Sequence, residues 1–125
     1  MLTDRGLDAA LSALAARSPV PVRIDVRVDE RPAPVVESIA YFVVSEALTN
    51  VAKHAGAHEA EVSVVRSGGS MIVEVRDDGA GGAAVIEDGG LAGLADRVAS
   101  VDGSLTVSSP AGGGTVVRAE LPCAS

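Results

Sequence analysis

The sequence predicts an α+β domain in which helices cover one face of a largely antiparallel sheet. Three observations carry that expectation. Segments with a helical period are interspersed with runs of apolar alternation. Four of the strand-like runs fall into two pairs, each joined by a short glycine-containing turn. One long helical stretch ends at a glycine just before the first of those pairs.

Taken in order, LTDRGLDAALSALAAR places apolar residues at 7, 10, 11 and 14, a helical spacing that ends before Pro19 and Pro21. VPVRIDVRVD then alternates. Val22, Ile24, Val26 and Val28 share one face, and Arg23, Asp25 and Arg27 the other, as in a half-buried strand. RPAPVVESIAYFVVSEALTNVAKHAG opens with prolines that a first helical turn tolerates and closes at Gly56. EAEVSVVRSG and SMIVEVRDD read as a hairpin around Gly68–Gly69. GAGGAAVIEDGG is a loop by composition, and LAGLADRVASV is helical. GSLTVSSP and GGTVVRAELP form another antiparallel pair around Pro110–Gly114. The expected order is therefore α-β-α-β-β-loop-α-β-β, as one domain over residues 1–125.

Composition narrows the function classes. At 125 residues the chain buries roughly two thirds of its unfolded surface. Its core must come from aliphatic side chains, since Tyr41 and Phe42 are the only aromatics. A formal charge of -7 argues against a nucleic-acid or anionic-membrane partner, and the lack of rings removes a stacking platform for bases. The lone Cys123 allows no internal disulfide and fits a reducing cytoplasm. No apolar run approaches the roughly 20 residues that span a bilayer.

The third segment carries an anomaly. Glu46, Asn50, Lys53 and His54 fall within roughly a third of the helix circumference. Asn50 is the only asparagine and Lys53 the only lysine, beside nine arginines. Such a stripe suits phosphate and metal. Asn50 offers a carbonyl oxygen to a hard cation such as Mg²⁺, Lys53 a compact charge to phosphate, and Glu46 a base for a water or hydroxyl. The plainer alternative is the polar, exposed end of an amphipathic helix, where Lys and His favour the dipole.

Three glycine clusters accompany the stripe. VRDDGAGG at 75–82 ends a strand in two aspartates and lets the backbone approach a flat ligand, although Asp-Gly is also a common turn. DGGLAGLADRV at 88–98 leads glycines into a helix N-terminus, which suits phosphate. It lacks the Gly-Lys-Ser/Thr of a Walker A loop and does not follow a strand as a dinucleotide fingerprint would. AGGGTVV at 111–117 sets Thr115 beside a glycine turn.

The order E-x-x-x-N-x-x-K-H, D-x-G-x-G, a glycine-opened helix and G-G-T-x-V resembles the ATP-binding catalytic domain of bacterial sensor histidine kinases. That domain belongs to the nucleotide-binding group shared by gyrase, Hsp90 and MutL. YFVVSEALTNVAKHA and the short loop before GLAGLADRV most resemble kinases paired with NarL/LuxR-type response regulators. The resemblance covers residues 5 to 123. It implies a two-layer α/β sandwich of the Bergerat ATP-binding type, with a mixed, mostly antiparallel sheet covered on one face by about three helices.

It also implies roles. Asp77 accepts the adenine amine, directly and through water, and Thr115 holds the same water network. Gly79 and Gly81 let the backbone close around the base. Asn50 ligates Mg²⁺ between the phosphates, Lys53 and His54 contact phosphate oxygens, and Glu46 is the catalytic acid/base. Gly89, Gly90, Leu91, Gly93 and Leu94 belong to the helix opening that meets the phosphates, and residues 82–88 form a short lid. The resemblance implies a phosphoacceptor histidine on a separate helical dimerisation domain, and neither His54 nor His58 is expected to accept a phosphoryl group. The chain is thus expected to be part of a longer, cytoplasmic or membrane-anchored kinase, binding ATP but not autophosphorylating alone. Two other readings share the boxes: an anti-sigma-factor serine kinase of the same fold, and a non-catalytic nucleotide-binding scaffold.

Overall fold

The computed structural model describes residues 6–18, 20–28, 33–54, 58–79, 90–108 and 114–122, and only the backbone at 6, 52–54, 67 and 90–92. Along the chain the elements are α1 (Gly6–Ala16), β1 (Val22–Arg27), α2 (Pro34–His54), β2 (Ala60–Ser67), β3 (Ser70–Asp77), α3 (Gly90–Ala99), β4 (Ser104–Ser108) and β5 (Thr115–Pro122). The expected order holds. Each element is trimmed at its ends, where fraying and turns take over from the periodic pattern.

The five strands lie in the order β1-β2-β3-β5-β4. β1 pairs with β2 in parallel, Val22 opposite Ala60, because α2 carries the chain back to the starting edge between them. All the other pairings are antiparallel. Gly68, with φ 61°, turns the β2–β3 hairpin between Ser67 and Ser70. That is the conformation a two-residue II′ turn requires of its first central residue.

Alternation divides the sheet into two unlike faces. Val62, Val64, Met71, Val73, Val75, Val117, Ala119 and Leu121 are buried under the helices. The opposite face carries Arg23, Asp25, Glu61, Glu74, Arg76 and Arg118, paired as Arg23–Glu61, Arg27–Asp25 and Arg76–Glu74 at 3.3 Å. These pairs are exposed and keep that face in water more than they stabilise the fold.

α2 starts with Pro34 at the first helical position, where a missing N–H costs nothing. The Ala33 carbonyl accepts from Val36 and Glu37 N–H at 2.9 and 3.1 Å. Its buried stripe is Val36, Ile39, Ala40, Val43, Val44, Ala47, Leu48 and Val51. α2 packs against β3 and β5, and both other helices pack on α2. From α3 the Arg97 guanidinium lies 4.0 Å above the Phe42 ring, joining the two helices.

α3 stops in a Schellman motif. Gly103 N–H donates to Val98 O at 3.0 Å and Asp102 N–H to Ala99 O at 3.0 Å, with Asp102 left-handed at φ 62°.

Candidate functional site

The two aspartates that end β3 separate by strand alternation. Asp77 continues the row of Met71, Val73 and Val75 and so points toward the helical layer, half-buried. Asp78 points the other way and is exposed. The Asp77 carboxylate is held in place by its own loop: Oδ1 accepts from Gly79 N–H at 2.8 Å. Glycine two residues on lets the loop double back onto that oxygen.

Directly across the ladder from Asp77 stands Thr115, only 6% exposed. The approach of β5 to this point depends on Gly114. Its φ is 78°, and a Cβ there would overlap the Asp77 carbonyl oxygen. Sequence reasoning placed Gly114 in a glycine turn without linking it to Asp77. The signal lay in the register, which sets the third glycine of the run next to the aspartate.

Asp78 is engaged differently. Its Oδ1 accepts from His58 N–H at 2.7 Å and Glu59 N–H at 3.1 Å, with the His58 ring 3.8 Å from Oδ2. The backbone N–H groups of Glu59 and then His58 hold its carboxyl below the ordinary value of 3.8. The segment so fastened leads from the end of α2 into β2. His58 is four residues beyond His54, so the helix end lies within about 14 Å of it along the chain.

On α2, Glu46 and Asn50 are both half-buried, one turn apart on the rim of the buried stripe. Lys53 and His54 belong to the last turn, and their side chains lie outside the described residues. Gly90 opens α3, and Gly93 is exposed with open space around it. Leu94 is fully buried and seats α3 in the core. The side chain of Leu91, Gly81, Gly89 and the lid at 82–88 also lie outside the described residues.

The structure therefore brings Asp77, Gly79 and Thr115 together at one sheet end. It sets Glu46 and Asn50 on the helix packed over those strands. A cleft of about 230 Å³ opens at the same end and is bordered by Arg23, Glu61, Arg76, Asp77 and Asp78, with Glu59 and Ala60 beside them. Arg23, Glu61, Arg76 and Asp78 belong to the outer, charged face.

Among the described residues no group of three or more His, Cys, Asp or Glu is placed to hold a metal. Asn50 carries an amide oxygen, a donor of the kind that Mg²⁺ accepts. Among the described residues, too, no helix is long and apolar enough to cross a membrane.

Residues 35–125 match the family model described as histidine kinase-, DNA gyrase B- and HSP90-like ATPase. The sensor histidine kinase YvfT of Bacillus subtilis is 34% identical over 90 residues, 71% of this chain and 24% of that protein. The sensor histidine kinase YxjM of the same organism is 32% identical over 89 residues, 71% of this chain and 22% of its own length. The chain thus spans about a quarter of the length of these curated relatives. Among solved structures, the histidine kinase domain of the Erythrobacter litoralis EL346 blue-light activated kinase superposes with TM-score 0.68. The identity is 23%, over 94% of this chain and 57% of that one. The mycobacterial sensor histidine kinase MprB gives TM-score 0.65 at 21% identity, over 93% of this chain and 91% of that one. At these identities the superpositions speak for the fold: a mixed five-stranded sheet with three helices.

Proposed function

The chain belongs to the histidine kinase-, DNA gyrase B- and HSP90-like ATPase family, and from that premise we propose how it works within a sensor histidine kinase. It binds ATP and delivers the γ-phosphate to a histidine on a separate helical dimerisation domain, for relay to a response regulator of the NarL/LuxR type. The observation that carries the reading is Asp77. Its carboxylate is directed toward the helices, fixed by Gly79 and set across from buried Thr115. A fixed carboxylate accepts a hydrogen bond from the adenine amine and repels the carbonyl oxygen that guanine offers in its place.

The remaining roles are those that the family resemblance implies. Glu46 and Asn50 stand above the sheet on α2, with Lys53 and His54 a turn further on. Asn50 holds the cation through its amide oxygen, Lys53 and His54 meet phosphate oxygens, and Glu46 accepts the proton of the incoming imidazole. Gly79 and Gly81 let the loop close on the base. The first turn of α3, with Gly89, Gly90, Leu91 and Gly93, offers N–H groups to the phosphates, while Leu94 anchors that helix. Bound Mg²⁺ supplies charge neutralisation on the phosphates, and such transfer is mostly positioning and charge. Neither His54 nor His58 is the acceptor, so the chain alone binds nucleotide without phosphorylating itself.

The test is calorimetric titration of ADP and a non-hydrolysable ATP analogue, with and without Mg²⁺, into this chain and into Asp77→Asn. Binding that strengthens with Mg²⁺ and is lost in Asp77→Asn supports the reading. Absence of binding to the unsubstituted chain, or equal affinity for GTP, overturns it.

A further inference from the structure

We propose that Asp78 is a positioning residue for the nucleotide, a latch that holds the base-reading aspartate in register with the entry to β2. The inference rests on the ATP reading of Asp77, and no motif assignment gave Asp78 a role of its own.

The ladder between β2 and β3 ends at the Ala60–Asp77 pair, so Asp77 is the last residue that backbone pairing holds on that side. Strand ends fray, and a carboxylate that selects a base cannot sit on a fraying end. Asp78 extends the fastening by side chain where the backbone stops. One oxygen takes both N–H groups of residues 58 and 59, at 2.7 and 3.1 Å, and those bonds hold its carboxyl below the ordinary value, in keeping with a charged acceptor there. Gly79 N–H returns to Asp77 Oδ1 on the other flank. Residues 77–79 are therefore pinned by both carboxylates in opposite senses, Asp77 by its own loop and Asp78 by the segment entering β2.

His58 and Glu59, whose amides Asp78 grips, lead directly into β2 at Ala60. One side chain thus fastens the strand that reads the base to the entry of its neighbour in the sheet. The nearby arginines are engaged elsewhere, Arg23 with Glu61 and Arg76 with Glu74.

The test compares ADP binding, by calorimetry with Mg²⁺, in the unsubstituted chain, Asp78→Ala, Asp78→Asn and a remote control, Val26→Ala. Val26 pairs with Val64 away from this sheet end, so its loss lowers stability without touching the latch. Asp78→Ala is expected to weaken ADP about tenfold at a temperature where it remains folded. Asp78→Asn keeps an oxygen acceptor for the same amides and stays within about threefold. Val26→Ala binds as the unsubstituted chain does. Hydrogen exchange at His58, Glu59 and Gly79 accelerates in Asp78→Ala and stays near normal in Asp78→Asn. Unchanged ADP affinity in Asp78→Ala, or an equal loss in Val26→Ala, overturns the latch and leaves the ATP reading standing. Failure of the unsubstituted chain to bind ADP overturns the ATP reading, and the latch with it.

Discussion

Replacing Gly114 by alanine tests the geometry that brings β5 to Asp77. At φ 78° the backbone is left-handed, which costs an L-residue about 1–2 kcal/mol. The new methyl group also meets the Asp77 carbonyl oxygen, with the Asp77 carbonyl carbon at 3.4 Å and the Asp78 Cα at 3.6 Å. All three are backbone atoms in or beside a ladder, so nothing flexible can yield. Forced separation of that kind adds about 1–3 kcal/mol. Gly114→Ala should therefore lose about 2–5 kcal/mol, which at about 4 °C per kcal/mol lowers Tm by roughly 8–20 °C. Urea unfolding followed by circular dichroism reads the change as a lower midpoint at an unchanged m-value. Gly69→Ala is the control, because a Cβ there meets nothing within 4 Å, and it should stay within about 0.5 kcal/mol. If Gly114→Ala matched that control, the close approach of β5 to Asp77 would be wrong.

Three further outcomes are expected. Asp102→Gly relieves a left-handed residue at the end of α3 and should stabilise the chain by about 0.5–1 kcal/mol in the same urea assay. Asn50→Ala should weaken Mg²⁺-dependent nucleotide binding more than metal-free binding, and an equal loss in both titrations would count against metal ligation. The Asp78 carboxyl is held below 3.8 in the folded chain, so its contribution to stability is present above that pH and is lost as pH falls below it. Urea midpoints at stepped pH should accordingly show the gap between the unsubstituted chain and Asp78→Ala narrowing below pH 3.8 and constant near neutrality.

What the sequence reveals and what it conceals divides along the range of the interactions. Strand alternation in VRIDVR and SMIVEVRD and the Gly68–Gly69 turn are local signals, and the elements they indicate are present. The two hairpin-like pairs, β2–β3 and β4–β5, were likewise legible. Their relative placement was not. That β5 pairs with β3, and β1 with β2 in parallel, depends on how helices cover the sheet, which no local period encodes. The candidate site divides in the same way. Asp77 and Thr115 stood out by their glycine neighbours, but their facing each other is a matter of register between distant strands. The opposite orientations of Asp77 and Asp78 follow from alternation alone, although the partner amides of Asp78 lie about twenty positions back. Leu94 shows the converse, a residue in a ligand-like motif that the core claims completely.

The position of β5 in the strand order bears on how the molecule is made. β5 fills the slot between β3 and β4, so until it arrives the sheet exists only as a three-stranded piece and a lone strand. During synthesis the segment carrying Asp77 leaves the ribosome well before the strand carrying Gly114 and Thr115, with α3 and β4 made in between. A nascent chain thus displays the Asp77 carboxylate with one wall missing, beside an unpaired β3 edge open to wrong partners. Pairing of Asp77 with Thr115 and closure of the sheet are one event, and on the proposed ATP reading incomplete chains should hold no nucleotide.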